Sequence, residues 1–294
     1  MDTLVLADDR TSVTLVPALG GGIARMDAKR ADGGTAAVLR PWSNDGSGDP
    51  FRLGCNVLVP FSNRISGGGF AFGAFHPVPA NLPGEALPIH GDGFQKAWKV
   101  VESSVRAATL ALETGEIGPY RYRVTLDYAV SNGDLTATLA VTNTGPLTLP
   151  FGAGFHPWFP RTSETTLTFA ASHVWLEDER HLPTERIPVT ERPEWDFTNG
   201  RGLPPDWINN AFAGWPGAAS IDRPEDRIRI DIAASPNLDA AIVFSPGAEA
   251  DFFCFEPVSH AVDAHNQPGQ PGLVPLDPAQ SMEVRMDLRW TPIS

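Results

Sequence analysis

The stretch Arg121-Tyr122-Arg123-Val124-Thr125-Leu126-Asp127-Tyr128-Ala129-Val130 decides the fold class. Tyr122, Val124, Leu126, Tyr128 and Val130 fall on one face, and Arg121, Arg123, Thr125 and Asp127 on the other. A period of two is that of a strand with one buried face. Ser131-Asn132-Gly133-Asp134 follows, and Asn-Gly readily takes the positive φ angles of a two-residue hairpin turn. Residues 135–141 resume the apolar pattern, so the spacing predicts a hairpin. The same alternation recurs at 227–232 and 282–288, and short strands are expected over Leu4-Val5-Leu6 and Ser12-Val13-Thr14-Leu15-Val16. Pro17 to Gly22 breaks the chain, and 43–50 reads as an exposed polar loop.

No segment carries a sustained helical period bounded by caps. The chain has 294 residues with 28 Gly and 28 Pro, spread between apolar runs, which marks many turns rather than disorder. An all-β protein with at most short helical turns is predicted. So many antiparallel strands must stack or close to hide their edges, as a large sandwich or a barrel. Without an internal repeat or a low-complexity linker, residues 1–294 are expected to form a single domain.

The net charge of −13 repels phosphates and argues against nucleic acid or an anionic membrane as partner, while leaving a neutral ligand untouched. Cys55 and Cys254 lie in apolar sequence and read as buried thiols in a reducing compartment; nothing supports a disulfide. No basic-then-apolar leader and no run of membrane-spanning length is present, so a soluble, cytoplasmic protein is expected. The seven histidines form no His-x-His or His-Glu-x-x-His pattern and no paired Cys motif occurs, so no metal is expected. A Gly-x-Ser-x-Gly elbow is absent too, and Gly20-Gly21-Gly22 and Gly67-Gly68-Gly69 read as turns in strand-rich sequence rather than nucleotide loops. No cofactor is expected.

Three blocks carry residues suited to chemistry. The first runs Pro60-Phe61-Ser62-Asn63-Arg64-Ile65, then Gly69-Phe70, then Ile89-His90-Gly91-Asp92-Gly93-Phe94-Gln95. The second is Gly152-Ala153-Gly154-Phe155-His156-Pro157-Trp158-Phe159, where proline biases His156 to an extended backbone. Read alone it is more often a strand end with a core histidine than a catalytic one. The third is Phe253-Cys254-Phe255-Glu256-Pro257-Val258-Ser259-His260, with Asp263 and Asn266 beyond it. Glu256 is read at the end of an apolar strand, partly desolvated and so a better base at neutral pH; a surface glutamate there is the plain alternative.

Together these blocks resemble the signature of the aldose 1-epimerase (galactose mutarotase) family, in order and across nearly the whole chain. The resemblance implies a large antiparallel β-sandwich of the galactose mutarotase type. It implies a cofactor-free mutarotase interconverting the α and β anomers of a free aldohexose. The Glu-Pro glutamate, Glu256, would be the general base and the His-Pro histidine, His156, the acid. Asn63, Arg64 and His90 would hold sugar hydroxyls and developing charge, and Trp158 would form part of an apolar platform for the sugar. Base and acid are expected to face each other across an open cleft, with a bell-shaped pH profile whose limbs are both pushed up. The family commonly has a substrate-binding aspartate where this chain has Asn209, with Asp206 as a stand-in; Asn209→Asp is expected to tighten hexose binding. The alternatives are a hexose-6-phosphate 1-epimerase, for which Arg52 and Arg161 are the candidate phosphate ligands, or a non-catalytic carbohydrate-binding module. The partner is a small sugar, and a monomer or homodimer is expected.

Overall fold

The structure, a computed structural model, describes residues 1–44 and 46–293. The predicted hairpin is present: strand Tyr120–Ser131 pairs antiparallel with Asp134–Asn143, with Ser131 opposite Asp134. Asn132 and Gly133 both take positive φ, 56° and 90°, as a tight turn between twisted strands requires. Tyr122, Val124, Leu126, Tyr128 and Val130 are all buried. Position 45 of the expected 43–50 loop lies outside the described residues.

Two large antiparallel sheets dominate. The first has eleven strands, in the order Leu4–Ala7, Thr11–Val16, Gly22–Lys29, Cys55–Leu58, Gly154–Pro160, Phe252–Val258, Ala240–Ser245, Ile208–Ala213, His173–Glu177 and Pro183–Pro188, with Thr35–Ala37 beside Gly22–Lys29. The second has nine, in the order Arg201–Gly202, Thr166–Phe169, Ala218–Arg223, Ile228–Ala234, Ser281–Pro292, Asp134–Asn143, Tyr120–Ser131, Ala107–Ile117 and Lys99–Ser103. Among the described residues the helical elements are six three-residue 3₁₀ turns. One continuous cluster of buried apolar side chains, from Leu6 to Trp290, draws on both sheets and fills the sandwich.

Alternation along the central strands of the first sheet prepares the site. Phe253 and Phe255 point into the core between the sheets, as do Phe155 and Phe159. Their neighbours Cys254, Glu256, His156 and Trp158 therefore project from the opposite face. That face is also covered, by Arg40, Phe51 and the loops that carry Asn63, Arg64 and His90. Glu256 is consequently not at a strand end, as the sequence suggests; it is the fifth of seven residues in Phe252–Val258, 2% exposed. A strand covered on both faces reads as a continuous apolar run, so its far end is hidden in sequence.

The second sheet braces those loops from within. The Tyr122 hydroxyl donates to Asp92 Oδ1 and to the Val59 carbonyl, pinning the turn just after His90. Gly91 has φ 66°, and a Cβ there would lie 2.1 Å from the Val59 carbonyl oxygen. Only glycine lets this turn sit against the Val59–Pro60 segment.

Candidate active site

His156 and Glu256 stand opposite each other on adjacent strands, between the paired residues Gly154–Val258 and Trp158–Cys254. His156 Nε2 lies 3.3 Å from Glu256 Oε1. They are neighbours on one floor, not partners across a cleft as the sequence reading expected. The other atoms of the pair, Glu256 Oε2 and His156 Nδ1, are buried without a hydrogen-bond partner among the described residues. Burial disfavours charge on both groups. It pushes the Glu256 carboxyl well above its ordinary 4.5, opposed by the positive charge of Arg64. It pulls His156 down from 6.5 to about 3, partly offset by the residue's own backbone carbonyl and reinforced by the Arg40 guanidinium. Both directions favour a proton on the carboxyl over one on the imidazole. The upward shift expected for the histidine is reversed, because desolvation outweighs the neighbouring carboxylate.

The cleft above this floor has room for about 150 Å³ and is lined by Phe51, Asn63, Arg64, His90, His156, Trp158, His181, Trp207, Asn209, Phe244 and Glu256. Drug-sized pockets run to about 300–1,000 Å³, so this one suits a single small molecule. All seven residues singled out from sequence are in it. His90 adopts φ 61°. Its N–H donates to the Asn63 carbonyl, and the Asn63 N–H donates to His90 Nδ1, each at 3.0 Å. With Nδ1 accepting, the neutral ring carries its proton on Nε2, a donor left for the cleft. Burial first, then the electrostatic influence of His156, Arg64 and His260, pulls His90 well below 6.5, which favours its neutral ring.

Arg64 is held by two contacts of 3.2 Å from Nη2 to the Glu85 carboxylate. The backbone around it is clamped by Asp263, whose N–H donates to the Arg64 carbonyl and whose carboxylate accepts from the Ser66 N–H and hydroxyl. Asn266 Nδ2 donates to Asp263 Oδ1 and to the Ser66 and Gly69 carbonyls. Asp263 and Asn266 therefore position Arg64 and do not line the cleft. Trp158 lies stacked on His156, ring centroids 4.8 Å apart and 12° from parallel, beneath the Arg40 guanidinium at 4.0 Å. Its main contribution is to brace the imidazole; the most open aromatic of the cleft is Trp207, 46% exposed.

Sequence reasoning missed Phe51, His181, Trp207 and Phe244 on the walls, and Arg40, Glu85 and Glu177 behind them. None lies in a motif-like spacing, although Trp207 is two residues from Asn209. Asp206 is exposed and outside the cleft lining, so Asn209 alone stands at the position in doubt. Arg161 is spent on Ser245 Oγ and the Leu203, Pro204 and Gly247 carbonyls. Arg52 pairs with Asp49 and lies outside the lining.

Cys55 and Cys254 are free, buried thiols. With His156 and Glu256, Cys254 forms the group of metal-capable donors among the described residues, its atoms within 4.8 Å of one another. No motif search finds it, because it spans two strands distant in sequence. A metal needs the thiolate, and burial, with Glu256 nearby, pushes the Cys254 thiol well up, which disfavours that form. No helix among the described residues is long and apolar enough to cross a membrane.

The sequence pattern described as Aldose 1-epimerase matches residues 2–289. The chain is similar to the uncharacterized protein YphB of Escherichia coli K12, 38% identical over 262 residues, which cover 87% of this chain and 89% of that one. Among solved structures it is similar to the "Putative aldose 1-epimerase" of Escherichia coli K12, with a TM-score of 0.91, 34% identity and 99% of each chain covered. It shares the fold of a galactose mutarotase-like protein from Clostridium acetobutylicum, with a TM-score of 0.86, 20% identity, and 99% of this chain and 95% of that one covered. The match spans every residue that lines the cleft, and the chain belongs to the aldose 1-epimerase family.

Proposed function

We propose that this chain is a mutarotase acting on a free aldohexose, with Glu256 as base and His156 as acid. The observation that carries the reading is the buried Glu256–His156 contact at the floor of a small cleft, flanked by the donors of Arg64 and His90. Opening a pyranose breaks the bond between C1 and the ring oxygen. Glu256 takes the proton of the anomeric hydroxyl while His156 gives one to the ring oxygen, leaving an open-chain aldehyde. Rotation about C1–C2 presents the other carbonyl face, and the reverse transfers close the ring as the other anomer. The anomeric and ring oxygens share one carbon, so an acid and a base 3.3 Å apart can each reach its own oxygen. Opposed groups, the arrangement inferred from sequence, are unnecessary. His90 Nε2–H and the Arg64 fork can donate to oxygens on which negative charge builds.

A binder without catalysis needs hydroxyl contacts but no desolvated acid–base pair, so the buried pair favours the enzyme. The commitments of Arg161 and Arg52 away from the cleft argue against a 6-phosphate substrate. Polarimetry of freshly dissolved α-glucose and α-galactose decides the matter: the protein should speed the approach to anomeric equilibrium. A rate equal to the uncatalysed one for every aldose would refute the reading.

The reactive form is the pair bearing one proton, moved in the complex from Glu256 to His156. A second proton leaves Glu256 neutral beside an imidazolium and removes the base. Loss of the only proton leaves the carboxylate beside a neutral imidazole and removes the acid. Profiles of kcat/KM, which report the free enzyme, should therefore be bell-shaped. The acid limb belongs near the about 3 of His156 and the alkaline limb above the ordinary 4.5 of a glutamate. A single rise through the ordinary histidine value, with no fall at high pH, would contradict this assignment.

A further inference from the structure

Asn209, in the wall of the cleft, has a charged partner behind it. Asn209 Nδ2 donates to Glu177 Oε2 at 3.0 Å, and Trp207 Nε1 donates to Glu177 Oε1 at 2.9 Å. His181 Nδ1 lies 3.1 Å from Glu177 Oε1, and its ring stacks on Trp207 at 5.3 Å and 26°. Three groups of the cleft wall thus converge on one carboxylate at the end of strand His173–Glu177, itself outside the lining. An amide has one acceptor. With one N–H turned to Glu177, Asn209 keeps Oδ1 as its side-chain acceptor for the cleft, beside the second N–H of Nδ2.

We infer that Asn209 and Glu177 act as one hydroxyl-reading element for a neutral pyranose, an aspartate's two properties divided between two residues. Asn209 Oδ1 accepts the sugar hydroxyl. Glu177 is a positioning residue: it fixes the amide orientation, polarises it with a nearby negative charge, and holds Trp207 and His181 as a wall. This rests on the sugar reading above. It also reverses the expectation drawn from sequence. Asn209→Asp alone would set two carboxylates about 3 Å apart, where like charges cannot both stay ionised cheaply. It should therefore weaken hexose binding. Moving the amide to the other member, as Asn209→Asp with Glu177→Gln, should relieve it.

The test uses the full chain as wild type, both single variants and the exchanged pair. Thermal unfolding at neutral pH and polarimetric kcat and KM with α-glucose and α-galactose are measured for each. Each single variant should raise KM by about tenfold or more, the scale of a lost hydrogen bond to a charged group, with kcat held within about threefold. The exchanged protein should return KM to within about threefold of wild type, and should recover the Tm that Asn209→Asp loses. Single losses that multiply in the exchanged protein would overturn the inference, as would recovery of Tm without recovery of KM, which would make the contact structural only. Should Glu177→Gln fail to fold, Asn209→Ala removes the acceptor together with the amide donor to Glu177; an unchanged KM there also overturns it. A wild type that turns over no aldose refutes the proposed function separately. Calorimetric sugar affinity of the same proteins then decides the pair, and absence of binding to the wild type rejects it.

Discussion

Glu256→Gln is expected to lower kcat by about 10²–10⁴-fold, the span for losing a positioned general base, and to change sugar affinity only modestly. Glutamine keeps the length and one acceptor but cannot take the anomeric proton. A second signature separates this from damage to the fold. The Glu256 carboxyl sits well above its ordinary 4.5 because burial penalises its charged form. For an acid raised in this way, stability is undiminished at pH below the unfolded value and is lost as pH rises from there toward the folded value. Glutamine never ionises and escapes that loss. The Tm of the variant relative to wild type should therefore climb as pH rises through and above about 4.3, where unfolded glutamates ionise. A folded, stabilised and nearly inactive protein is the expected result. Near-normal turnover would remove Glu256 from the base role, and a Tm difference flat across this range would contradict its desolvation.

His156→Asn should cost about the same, 10²–10⁴-fold in kcat, since an amide cannot deliver a proton to the ring oxygen. The informative protein is the double variant Glu256→Gln, His156→Asn. Two groups that share one proton act as a unit, so the second substitution should add little to the first. The acid limb of the pH profile should also vanish in His156→Asn, leaving only the titration of Glu256. Losses that multiply in the double variant would show independent roles, and an intact acid limb would assign that limb to another group. Trp158, stacked on the His156 ring at 4.8 Å, and Arg40 above it remain in place, so the change removes the proton carrier and leaves its surroundings.

Much of this was legible in the chain. The alternation from Tyr122 to Val130 and the Asn132-Gly133 turn specify a half-buried strand and a hairpin locally, because strand period and turn geometry are properties of adjacent residues. The chemistry-bearing residues were legible as well, through the order of three blocks, and all seven meet in one cleft. The walls were not legible. Phe51, His181, Trp207 and Phe244 come from four separate segments, and Glu85 and Glu177 act through contacts that no local pattern encodes.

By itself, then, the sequence determined an all-β chain, its hairpin register, and the identities of Glu256, His156, Arg64, His90, Asn63, Trp158 and Asn209 as the residues to follow. Only the tertiary structure decided how they stand to one another. It put Glu256 within a doubly covered strand rather than at its end, and His156 beside it rather than across from it. It turned the Asn209 amide toward Glu177, left Asp206 outside, and made His156 harder to protonate rather than easier. The physical reason is common to these cases. Burial, charge proximity and hydrogen-bond direction depend on which strands pair and which loops cover them, and pairing across the sheet joins residues whose separation along the chain carries no signal.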